Sequence, residues 1–195
     1  MGFWYTDPQD HTGAWYWIGI AITLSQTLGL HRCPQLNNRS QRFPEALQPL
    51  IRRIWWSCIV RDRWLSLAKG RPMRIHHEDC DVPMPGAEDI LNNLNNIPLR
   101  IRGKFIPLES ELLAKMWINL VEISATLGRI LRIHYRVIGP KPVIEDINNH
   151  AEELRDCRPR QILTDDASEL LHLHEYHVEL FYECVCSIQF SLADS

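Results

Sequence analysis

Six cysteines occur in this chain, yet no two of them form a Cys-x-x-Cys pair, which removes the usual spacing of a zinc finger or a redox centre. Cys33, Cys58, Cys80, Cys157, Cys184 and Cys186 show no disulfide framework either, so free thiols in a reducing compartment are expected. Cys184 and Cys186 would project from opposite sides of a helix, which argues against a shared metal ion. Excess positive charge is missing too. Lys and Arg total 21 against 24 Asp and Glu, a net charge of -3 that gives no whole-chain reason to bind DNA or an anionic membrane. Local basic patches remain at Arg52/Arg53, Arg61/Arg63 and Arg100-Ile101-Arg102-Gly103-Lys104; such groups on helices ordinarily form a solvated face.

Catalytic signatures are equally scarce. There is no Gly-x-Ser-x-Gly elbow, no glycine-rich phosphate loop and no Gly-x-Gly-x-x-Gly. Among nine histidines, none stands in His-Glu-x-x-His spacing. His76-His77-Glu78-Asp79-Cys80-Asp81 is dense in ligand-type groups but reads as loop surface and helix capping, because metal sites usually draw ligands from separate elements. His174 and His177 share a helix face without a separated carboxylate. Asp165-Asp166 and Asp79-x-Asp81 fall in loops or at a helix start, where an acid caps backbone N–H groups. We therefore expect no enzyme and no metal site. No basic-then-apolar leader opens the chain. The most apolar stretch, 14–30, carries Thr23, Ser25, Gln26 and Thr27 and is too short and polar for a membrane span. A soluble intracellular protein with no membrane partner is expected.

What is present is helical periodicity. At 195 residues, 45% of them apolar, the chain suits a single domain over 1–195 that buries roughly 70% of its unfolded surface. A first helix is predicted from about Thr12 to Leu28, apolar nearly all round and so placed at the centre of a bundle, with Gly29 as a left-handed cap. Pro44-Glu45 opens a second, with Leu47, Leu50, Ile51, Ile54, Trp55, Cys58 and Leu65 as its buried stripe. Asp62 falls on that stripe and needs a partner; Gly70-Arg71-Pro72 ends the helix. Met73 to Pro107, with its prolines and asparagine pairs, is a long irregular segment. A third helix runs from about Leu108 to Val137, burying Leu113, Trp117, Leu120, Val121, Leu127, Leu131 and Tyr135. Val143 to Asp156 and Asp166 to about Leu192 complete the set. The class is all-α, an irregular multi-helix bundle. Trp15, Trp17, Trp55, Trp56, Trp64 and Trp117 supply core bulk, or else line a pocket for a small apolar ligand or a partner surface.

Three ordered motifs carry a resemblance. Ala21-x-x-Leu24-x-x-x-Leu28-Gly29-Leu30-His31-Arg32 comes first. Arg52-Arg53-Ile54-Trp55-Trp56-Ser57 follows, with Asp62-Arg63 and Leu67-Ala68-x-Gly70-Arg71-Pro72. Asp79-Cys80-Asp81-Val82-Pro83-x-Pro85 closes the series. Together they resemble the fungal-specific transcription factor domain, the middle homology or regulatory region of fungal zinc-cluster transcription factors. The match is strongest over 14–85 and extends weakly to about Phe190. The resemblance implies an all-helical regulatory module of a nuclear protein that controls transcription by RNA polymerase II. Its motif residues here are Arg53, Trp55, Trp56, Asp62, Arg63, Gly70, Arg71, Pro72, Asp81 and Pro85, with Asp62 and Arg71 expected to pair across the helix stop. Implied partners are the transcription machinery or a full-length factor, a small apolar ligand, and a second copy in a homodimer. Zinc and DNA belong to the family's six-cysteine cluster, which this chain lacks, so no cofactor is assigned and DNA binding falls to no residue here. The family's first helices are also missing, and a truncated or degenerate form is the expectation. The alternative is a stand-alone helical module that binds a small molecule or a protein and modulates a full-length factor.

Overall fold

The computed structural model describes residues 13–33, 43–95, 97–134, 138, 143–159 and 168–193. Among them are seven α-helices and no strand: α1 (Ala14–Thr27), α2 (Gln48–Lys69), α3 (Glu88–Asn95), α4 (Leu99–Phe105), α5 (Ser110–His134), α6 (Ile144–Asp156) and α7 (Glu169–Ala193). The all-α expectation holds. The chain divides into two compact units, residues 1–90 and 91–195.

In the first unit α1 packs against α2. Both helices end in the same way. Gly29 and Gly70 take positive φ (77° and 59°), and the N–H of the residue after each glycine reaches back into the last turn of the helix, Leu30 to the Ser25 carbonyl and Arg71 to the Ser66 carbonyl (both 2.9 Å). These are Schellman caps, which glycine enters without the Cβ penalty. The second helix opens on Pro44 as predicted, first as a 3₁₀ turn over Glu45–Leu47 and then as α-helix.

Two expectations fail in this unit. α1 is not buried on all sides: Ile22 and Ser25 face inward, whereas Tyr16, Trp17, Leu24 and Leu28 are exposed. A helix that packs on one described neighbour buries one face, however apolar the rest. The stripe of α2 begins later than its apolar spacing suggests. Leu47, Leu50 and Ile54 are exposed, and burial starts at Trp55 and Trp56 and runs through Cys58, Ile59, Asp62, Arg63, Leu65 and Ser66.

The segment read as irregular, Met73 to Pro107, holds a 3₁₀ turn at His77–Asp79 and the short helices α3 and α4. Eight and seven residues are too few for a helical period to stand out. In the second unit α5, α6 and α7 pack on one another. The core of α5 is Ala114, Met116, Val121, Ile123, Leu127 and Ile130; Leu113, Trp117, Leu120 and Leu131 are half-buried, and Tyr135 lies outside the described residues. An ion pair joins Arg129 of α5 to Glu153 of α6 (2.7 Å). Asn119 Nδ2 donates to the Cys157 carbonyl (2.9 Å).

Candidate functional site

The motif residues gather where the chain leaves α2 and folds back along the first unit. Proline at position 72 forbids further helix, and the following residues are non-helical, with a bend at Arg74. Asp62, 0% exposed, receives them: its Oδ2 accepts the backbone N–H groups of Arg74 (2.9 Å) and Ile75 (3.0 Å). Burial pushes the Asp62 carboxyl above the usual carboxylate range; the two backbone hydrogen bonds and the nearby Arg63 and Arg74 pull the other way. Arg71 is not its partner. The side chain of Arg71 reaches across to the Trp15 ring instead, 5.2 Å from the centroid. The expected Asp62–Arg71 pair is thus replaced by a carboxylate on two backbone amides. The chain turning back past Pro72 places two successive backbone N–H groups at the carboxylate, while Arg71 points to Trp15.

Arg74 ties the same segment to α1. Its guanidinium sits over the Trp15 ring, 3.9 Å from the centroid, and Nη1 donates to the Trp15 carbonyl (2.6 Å). Gly19 makes room for it: a Cβ there would lie 2.8 Å from Nη1. Glycine in a helix interior costs about 1 kcal/mol against alanine, and here the space is used.

Further along, Asp81 links three partners of the segment after α1. Its carboxylate accepts the Cys33 N–H and pairs with Arg32 (3.5 Å), and its own N–H donates to the His31 carbonyl (3.3 Å). The His31 ring lies 5.8 Å from that of Trp55, which is 1% exposed. Burial and the adjacent Arg32 hold His31 below the ordinary histidine value. Trp56 Nε1–H donates to the Pro83 carbonyl (2.9 Å), and Val82 and Pro85 are buried. Arg52 then grips Asp89 with two nitrogens (Nε to Oδ2, 3.0 Å; Nη2 to Oδ1), while Asp89 Oδ2 accepts the Gly86 N–H (3.0 Å).

Each proposed motif residue has a placement. Trp55, Trp56, Asp62 and Arg63 are buried; Gly70 caps; Pro72 is exposed and its carbonyl accepts Ser66 Oγ (3.4 Å). Asp81 and Pro85 anchor the returning chain. Arg53 reaches only the Pro49 carbonyl on its own helix (3.4 Å). Sequence reasoning missed Arg74, Asp89 and Gly19. Only Asp89 carried a signal, as an acid in the first turn of a helix.

Chemically this is a holding arrangement. The thiols of Cys58 and Cys80 are pushed up by burial, the wrong direction for a nucleophile. Cys80 Sγ faces the His76 and His77 carbonyls (3.7 and 3.4 Å). Among the described residues no three His, Cys, Asp or Glu side chains are grouped to hold an ion, and no helix is long and apolar enough to cross a membrane.

The family described as the fungal specific transcription factor domain matches residues 1–159. Similar curated proteins include cutinase transcription factor 1 beta of Fusarium vanettenii, 38% identical over 71% of this chain and 16% of that protein. A transcriptional regulatory protein of Schizosaccharomyces pombe is 25% identical over 94% of this chain and 22% of its own length. The acetamidase regulatory protein of Aspergillus fumigatus is 36% identical over 44% and 11%. The chain spans about a sixth of the length of the first two curated relatives it matches. No solved structure matches it significantly.

Proposed function

The chain belongs to the fungal specific transcription factor domain family, the regulatory domain of fungal transcription factors, and we propose that it acts there by packing and protein contact, without catalysis and without touching DNA itself. One observation supports this above the others. Asp62, Arg63 and Trp55 are 0%, 3% and 1% exposed, so these three motif groups lie inside the fold, Asp62 holding the returning chain, and are not offered to a substrate or a phosphate backbone. A corner tied by backbone and side-chain hydrogen bonds suits a domain that passes conformational information to the rest of a factor. Its working partners are then the other segments of that factor and the transcription machinery, in the nucleus, with RNA polymerase II transcription as the output.

Fusing the chain to a heterologous DNA-binding domain in a fungal reporter strain tests the reading. Reporter output should differ from that of the DNA-binding domain alone, and Asp62→Ala should abolish the difference at equal protein level. Output identical to the bare DNA-binding domain would refute it, as would tight, sequence-selective binding of duplex DNA by the purified chain alone.

A further inference from the structure

The basic run at Arg100-Ile101-Arg102-Gly103-Lys104 is not absorbed by the corner. It forms α4, in the second unit, where no described helix packs closely against it. Leu99, Ile101, Phe105 and Leu108 are 83%, 49%, 71% and 98% exposed. Four large apolar side chains within ten residues are more than scattered surface hydrophobics. No acid occurs from Ile90 to Leu108, whereas three cations do, in a chain of net charge -3. α4 buries no residue of its own.

We propose that α4 and the residues leading to Leu108 dock an acidic amphipathic helix of a partner protein. Ile101 and Phe105 are four apart and share one side of the helix. At about 100° per residue, Arg100 and Lys104, both exposed, flank that pair along one edge. A narrow apolar seam edged by cations is the complement of a helix whose leucines are edged by carboxylates. A membrane surface fits less well, because it needs one broad apolar face, and Leu99 lies on the far side from Ile101 and Phe105. A phosphate backbone would leave all four apolar side chains uncovered, and three cations on an acidic protein supply little counter-ion release.

The test uses the full chain and a fluorescent synthetic helical peptide with leucines four apart flanked by glutamates, followed by anisotropy. Saturable binding should appear and weaken with salt. Arg100→Glu with Lys104→Glu should lower affinity on the order of tenfold or more. A peptide with lysines in place of the glutamates should regain binding to that variant and not to the parent. Ile101→Ser with Phe105→Ser should weaken binding of both peptides to their matched proteins. All four substituted side chains are exposed, and a gain with the swapped peptide cannot come from a misfolded protein. No binding by the parent chain overturns the proposal, and so does binding indifferent to the charge reversal. Preference for phosphatidylserine vesicles or duplex DNA over the peptide, with the same variant dependence, overturns it in favour of that surface.

Discussion

Arg74 covers Trp15: its guanidinium lies over the indole and its Nη1 holds the carbonyl of the same residue. One side chain thereby clamps both the ring and the backbone of α1 from a segment 59 positions later in the chain. Gly19, one turn along α1, is the empty space that permits it.

That relationship predicts a reversal of sign. In the parent chain Gly19→Ala should be neutral or slightly destabilising, since the helix gain of about 1 kcal/mol is offset by displacement of the guanidinium. In an Arg74→Ala background the same substitution should stabilise by about 1 kcal/mol. Denaturant melts of the four proteins measure the coupling; additive effects would show that the glycine and the arginine do not compete for space.

Asp62→Ala orphans two backbone N–H groups, and a loss of about 2–6 kcal/mol is expected at about 1–3 kcal/mol per buried unsatisfied group. Asp62→Asn keeps an acceptor and should lose less. The pH dependence has a definite sign. The folded carboxyl is raised above its unfolded value, so the native state holds more protons and stability contributed by this group falls as pH rises from the unfolded carboxylate value through the folded one. The parent chain should therefore gain on Asp62→Asn as pH is lowered through that window. Melts across the acidic range that show a constant difference would contradict this.

Gly70 sits at φ 59° with nothing within 4 Å of a built Cβ. Gly70→Ala meets no clash but must adopt a left-handed conformation, at about 1–2 kcal/mol; Gly70→Asn should cost less. Equal losses from the two, by thermal melt, would point to lost contacts in place of backbone strain.

Arg52 and Arg53 are neighbours in sequence and opposites in role. Arg52→Ala abandons Asp89, whose side chain is 3% exposed, and should cost about 3 kcal/mol or more, as loss of one partner of a buried pair does. Arg53→Ala loses a long bond to its own helix and should stay within about 0.5 kcal/mol. Chemical denaturation of the two variants decides it, and similar costs would rule out the asymmetry.

Much of the fold could be read from residue order. Helical period located α1, α2, α5, α6 and α7 because each is long enough for the repeat to rise above composition. Gly29 and Gly70 declared their caps because few other residues enter that conformation. α3 and α4 were missed for want of length. The buried face of α2 was misjudged at Leu47, Leu50 and Ile54, since periodicity tells which residues share a face and not whether anything covers it.

The partner of Asp62 shows the same limit more sharply. Sequence alone required that an aspartate on an apolar stripe be compensated, because burial of an unpaired carboxylate is costly wherever it happens. It also fixed the helix stop beyond it, through a glycine and a proline whose backbone preferences are local. Which groups come to the carboxylate was settled only in three dimensions, by the path of residues 71–75 back along α2. Local conformational preference is written residue by residue; the meeting of distant groups depends on where the chain travels between them, and no single stretch of sequence contains that.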